Sequence, residues 1–147
     1  MTTGKLLTSV EEITDRLTSV QTIAVLGLSP KPERDSYRVA HYMKQNGYRI
    51  IPVRPAQSEI LGETAYGSLA DIPDSVDVVD VFRNAKQVPG HVAEILAMKH
   101  RPAMVWMQLG VIHEGAAEEL TAAGIDVVMN RCIKVDHETH VARTRLV

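Results

Sequence analysis

Gly27, Ser29, Lys31, Arg34, Ser36 and Arg38 fall within twelve consecutive positions. A glycine followed by hydroxyls and cations is the set of groups that holds an anion. The stretch reads TIAVLGLSPKPERDSYR, Thr22 to Arg38: an apolar run closes on Gly27, a polar loop follows, and a helix-like pattern begins near Ser36. Strand, glycine turn and helix make the first half of a dinucleotide-type βαβ unit, in which free N–H groups and the positive dipole end of the helix point at the ligand. The turn Gly27, Leu28, Ser29, Pro30 departs from GxGxxG, because Ser29 takes the second glycine position and Pro32 the third. A serine there can still donate its backbone N–H and its hydroxyl. A tight strand-to-helix turn without ligand is the plain alternative, since one glycine turn is weak evidence.

A second cue follows the next apolar run. NAD sites place Asp or Glu after the second strand to hold ribose hydroxyls; this chain has Val53, Arg54 and Pro55 there. A guanidinium fork suits a further phosphate near the ribose. That points to NADP or to a 3′-phosphorylated nucleotide such as coenzyme A, with a solvated surface arginine as the alternative. Phe82 and Arg83 follow the third long run at Val81, where an aromatic face and a cation can flank a base, a ribose or a phosphate. Phe82, the sole phenylalanine, is expected at least partly in the core.

Catalytic constellations are weak. GxSxG, HExxH and P-loop motifs are absent. The six histidines are scattered without metal-ligand spacing. Cys132 stands beside Arg131 and Lys134, which favour a thiolate, but a buried inert thiol is the preferred reading. A Cys132–His113 pair is conceivable only because both sit near predicted strand ends. Asp77 and Asp80 differ in parity along one strand run, so they do not share a face.

The elements that must position these groups alternate regularly. Apolar, β-branched runs at Thr22–Leu26, Arg49–Val53, Val76–Val81, Ala103–Met107 and Asp126–Met129 predict strands. Helical patterns at Tyr37–Gln45, Val88–Lys99 and Glu114–Ala123 lie between them. Near the N-terminus, Ser9 with Glu12 fits a capping box for a helix over about 9–18. The stretch Arg54–Ile72 breaks the rhythm, with a short strand candidate at Thr64–Tyr66, and belongs at a sheet edge. The expectation is a single α/β domain over 1–147, a doubly wound, Rossmann-like parallel sheet of five or six strands with helices on both faces. Every parallel strand then ends at one edge, so Gly27–Arg38, Arg54–Pro55, Phe82–Asn84, Gln108–Ile112 and Asn130–Lys134 converge there, with Gln108 and Gly110 able to line the cleft.

Composition narrows the function. Net charge is −2 over 147 residues, against a general nucleic-acid binder. One cysteine excludes an intramolecular disulfide and a thiolate zinc cluster. No run suits a membrane span, and the N-terminus lacks a signal-peptide core, so a cytoplasmic location is the default expectation.

These residues resemble a known family. IAVLGLSPKPERDSYRVAHYMKQNGYRIIPVRP, EILGETAYGSLADIP, VDVVDVFRNAKQVP, VWMQLGV and GIDVVMNRCIKVDH, in that order, are similar to the small stand-alone CoA-binding proteins and to the CoA-binding domain of the succinyl-CoA synthetase α subunit. The resemblance runs from about Thr22 to His137. It implies binding of coenzyme A or an acyl-CoA in a Rossmann-type cleft. Carried over by position, the ligand turn falls on Gly27, Leu28, Ser29 and Pro30, and the basic loop and helix start on Lys31, Arg34, Ser36 and Arg38. The next two strand ends fall on Val53, Arg54, Pro55 and on Val81, Phe82, Arg83. Arg54 stands where many relatives have asparagine, and Asn130 where many have aspartate. The synthetase's phosphorylated histidine belongs to a second domain, so ligase activity does not transfer. The preferred reading is a CoA-binding module without chemistry of its own. The alternative is an NADP-dependent reductase or a minimal acyl-CoA-handling enzyme. Pairing with a second copy or with another protein stays open.

Overall fold

Five apolar runs become the strands of one parallel sheet in the computed structural model, which describes residues 3–142. They are β1 (Thr22–Leu26), β2 (Arg49–Val53), β5 (Val78–Val81), β6 (Met104–Met107) and β7 (Asp126–Val128), in spatial order β2-β1-β5-β6-β7. All four pairings are parallel, with Leu26 opposite Val53 on one side and Val81 on the other. β1 is buried at every position because both sheet faces are covered, which is why TIAVL reads as a continuous apolar run rather than an alternating one.

The alternation survives as a division between two cores. Ala24, Leu26, Val79, Val81, Val105 and Met107 pack with Val88, Val92 and Ile95 of α3 (Val88–Leu96) and with Ala116, Ala117 and Leu120 of α4 (Glu114–Ala122). Ile23, Val25, Val78, Met104 and Trp106 face Ile13 and Leu17 of α1 (Val10–Ser19) and Val39, Ala40 and Met43 of α2 (Asp35–Gln45). The sheet is therefore doubly wound, a Rossmann-like α/β fold. On the second face the chain closes with α5 (Ile133–Asp136) and a π-type turn over His137–Ala142, which bury Ile133 and Val141. Sequence spacing had not predicted this closing segment. Arg131 fixes it with a bidentate pair to the buried Asp136 at 2.6 and 2.8 Å.

Both sheet edges are occupied, as exposed parallel edges require. Tyr66 bridges Val53 outside β2, which puts the irregular stretch at the edge expected for it. The strand candidate there, Thr64–Tyr66, is instead split: β4 (Glu63–Thr64) pairs antiparallel with β3 (Glu59–Ile60), and Tyr66 alone joins the sheet. The β3–β4 turn puts Leu61 and Gly62 at φ 57° and 73°. Lys44 of α2 holds it, donating to the Leu61 carbonyl at 2.6 Å and pairing with Glu63 at 3.0 Å. At the other edge Leu6 bridges Val127. Ser9 caps α1 by accepting the Glu12 N–H.

Candidate functional site

Strand order reverses beside β1: β2 lies on one side and β5 on the other. At that switch point the chain after β1 meets the chain after β5. Gly27 adopts φ +85°, and a Cβ added to it would sit 2.4 Å from the Phe82 carbonyl oxygen. Glycine is thus required by the close passage of two backbones, before any ligand is considered.

The strand ends enclose a cleft of about 1000 Å³, at the upper end of ligand-site volumes. Ten of the fourteen residues singled out from sequence line it: Gly27, Ser29, Pro30, Lys31, Arg34, Ser36, Arg38, Arg54, Phe82 and Arg83. Leu28, Val53 and Val81 do not, because their side chains turn into the core at 2% exposure or less. Pro55 lies exposed outside it. Of the lining residues not singled out, Asp35, Asn84, Leu109, Val111 and Lys134 lay within the converging segments. Val39, Gln57, Gln87 and Val135 lay beyond them. Gln108 lines the cleft, and so does Cys132, which is half-buried rather than a core thiol. His113 does not join Cys132: its Nδ1 accepts the Ala116 N–H at 3.0 Å and caps α4.

The lining is strongly cationic. Lys31, Arg34, Arg38, Arg54, Arg83 and Lys134 face one carboxylate, Asp35, although the whole chain carries −2. Asp35 pairs with Arg38, which also donates to the Glu33 carbonyl, so Arg38 is largely occupied. Arg54 reaches the Gly27 carbonyl only at 3.4 Å. Arg83 is the exceptional one: its Nε is buried and has no hydrogen-bond partner among the described residues. It lies 3.3 Å from the position a Gly27 Cβ would take, at the switch point itself.

The turn is pre-built. The Ser29 N–H donates to the Ser36 hydroxyl at 3.0 Å, and the Lys31 N–H to the Ser29 hydroxyl at 3.1 Å. The Ser29 amide expected to serve an anion is therefore used internally. The two hydroxyl protons and the first turn of α2 remain available, since α2 has no side-chain cap. In β5, beneath the cleft, lies Asp80, 1% exposed, whose Oδ1 accepts the Gln108 Nε2 proton at 2.5 Å. Burial pushes its carboxyl up to about 8, against the opposing effect of the Gln108 hydrogen bond. Asn130, left-handed at φ 58°, accepts the Gly110 N–H at 2.7 Å and joins the loops after β7 and β6.

Comparison with known proteins decides the family. A model described as "CoA binding domain" matches residues 21–138. The chain belongs to the CoA-binding domain family. Among members of this CoA-binding family and their neighbours, YneT of Bacillus subtilis, described as uncharacterized, is 43% identical over 129 residues, covering 88% of this chain and 94% of that protein. A Thermus thermophilus protein of known structure has a TM-score of 0.84 at 40% identity, covering 89% of this chain and 98% of that one. The ADP-forming acetate–CoA ligase II of Archaeoglobus fulgidus is 35% identical over 97 residues, which cover 65% of this chain but 14% of the ligase. Among the described residues, no helix is long and apolar enough to cross a membrane.

Proposed function

We propose that this CoA-binding chain holds coenzyme A, or an acyl-CoA, along the C-terminal edge of its sheet, with the pyrophosphate at the Gly27–Ser36 turn. The observation that carries this reading is the buried Arg83 Nε at the switch point, without a partner among the described residues. A buried donor left unpaired costs about 1–3 kcal/mol, so its position favours a ligand that brings an acceptor. The ring of cations around it favours an anionic acceptor. Arg54, one strand further out, suits the 3′-phosphate. In the opposite direction the lining turns apolar, with Leu109, Val111 and Val135, as an extended aliphatic arm requires. The proposed role is holding the ligand rather than turning it over, and the ligase's reaction is not carried across.

Arg83→Leu tests the reading by calorimetric titration. It should weaken CoA at least tenfold while thermal stability stays level or rises, since an unpaired buried donor is removed. Unchanged CoA affinity in a folded Arg83→Leu protein would refute the placement of phosphate at the switch point. Gly27 is unsuitable for this test, because a side chain there strains the fold itself.

A further inference from the structure

Asp80 and Gln108 form a buried polar pair that phosphate binding does not use. Both are almost fully buried, at 1% and 4% exposure. Asp80 sits inside the sheet, between Val25 of β1 and Trp106 of β6. A carboxyl group there is costly, and such costs concentrate at functional sites. Gln108 follows β6 directly, with its carbonyl accepting the Val111 N–H at 2.8 Å. Its side chain both lines the cleft and donates Nε2 inward to Asp80. An amide has one donor end and one acceptor end. With Nε2 turned to Asp80, Oε1 is the end left for the cleft.

We infer that Gln108 is a specificity residue that accepts the N–H of an amide in the ligand's arm, and that Asp80 is the positioning residue that fixes this orientation. The inference rests on the CoA reading and deepens it. Neighbouring strands are about 4.8 Å apart, which puts the end of β6 roughly 10 Å along the sheet edge from the glycine turn. A ligand with its pyrophosphate at the turn and its pantetheine arm running toward β7 carries secondary amides past this point. Leu109 and Val111 supply apolar contacts beside the same position. An acceptor beside Leu109 and Val111 at this end of the cleft discriminates for amide-bearing arms, because a ligand without the N–H leaves Oε1 covered and unpaired.

The test compares CoA with 3′-phospho-ADP, which keeps the phosphates and lacks the arm, on purified full-length protein. Gln108→Leu should weaken CoA at least tenfold and leave 3′-phospho-ADP within about twofold. Gln108→Glu, which keeps an acceptor and removes the donor, should restore CoA to within about threefold of wild type. Asp80→Leu, which removes the acceptor that holds Nε2 inward, should weaken CoA severalfold with 3′-phospho-ADP unchanged. Equal losses for both ligands in Gln108→Leu would overturn the inference and mark the pair as structural. A Gln108→Glu protein as weak as Gln108→Leu would overturn the assigned orientation. If wild-type protein binds 3′-phospho-ADP but gains nothing from the arm, the inference fails while the phosphate site stands; if it binds neither, the CoA reading fails first.

Discussion

Replacing Asp80 with asparagine should make stability less sensitive to alkali. The carboxyl has an ordinary value of 3.8 and is raised to about 8 in the folded protein by burial. Between those values the folded chain holds a proton that the unfolded chain releases. Its contribution to stability is therefore full below about pH 4, falls as pH rises toward 8, and is flat above. A tenfold change in proton affinity is worth about 1.4 kcal/mol, and the rise spans roughly four such factors, which sets an upper bound of roughly 5–6 kcal/mol. Local relaxation and water entry reduce this, and about 2–5 kcal/mol is expected. Asparagine keeps the shape and the acceptor for Gln108 Nε2 but does not ionise. Urea unfolding of wild type and Asp80→Asn from pH 4.5 to 9 isolates this group, because every other titration cancels in the difference. The two proteins should lie within about 1 kcal/mol at pH 4.5, and the variant should gain about 2–5 kcal/mol on wild type by pH 8.5. A difference that is flat with pH, or that moves in favour of wild type as pH rises, would show that the fold does not hold Asp80 protonated.

Two further outcomes follow from named contacts. Arg54→Ala should weaken CoA about tenfold or more and leave 3′-dephospho-CoA nearly unchanged in parallel titrations, as a charge-assisted contact to the 3′-phosphate of roughly 1.5–3 kcal/mol implies; equal losses would remove Arg54 from that role. Tyr48→Phe should cost about 1–2 kcal/mol in chemical denaturation without altering ligand affinity, because the buried Tyr48 hydroxyl donates to the Leu17 carbonyl at 2.5 Å and ties α1 to the sheet.

The strands were legible because burial on both faces writes them as unbroken apolar runs. β1 and β2 match the sequence expectation residue for residue. The third strand begins at Val78 rather than Val76, since the Asp77 carboxylate is held at the strand start by the Gln21 and Thr22 N–H groups. Convergence of the strand ends was legible for the same reason, and it delivered most of the cleft. What escaped depends on contacts distant in sequence. Val39 and Gln87 carry no local mark of a site and line the cleft only through helix packing. The β3–β4 turn lacks an Asn-Gly signal; Leu61 takes a left-handed conformation with Lys44 of α2 holding its carbonyl. Asp80 was visible as an acid in an apolar strand, but its partner lies 28 positions away. Cys132 was read as core because a free thiol is usually buried, whereas the chain entering α5 leaves it half-buried in the cleft lining.

Selection of coenzyme A by this cleft underlies every ligand assignment above. Isothermal titration of the wild-type protein with CoA, acetyl-CoA, NAD and NADP at one ionic strength decides it. CoA or acetyl-CoA should bind at least tenfold more tightly than either nicotinamide nucleotide. NADP binding equal to or tighter than CoA, or no CoA binding at millimolar concentration, would contradict that selection.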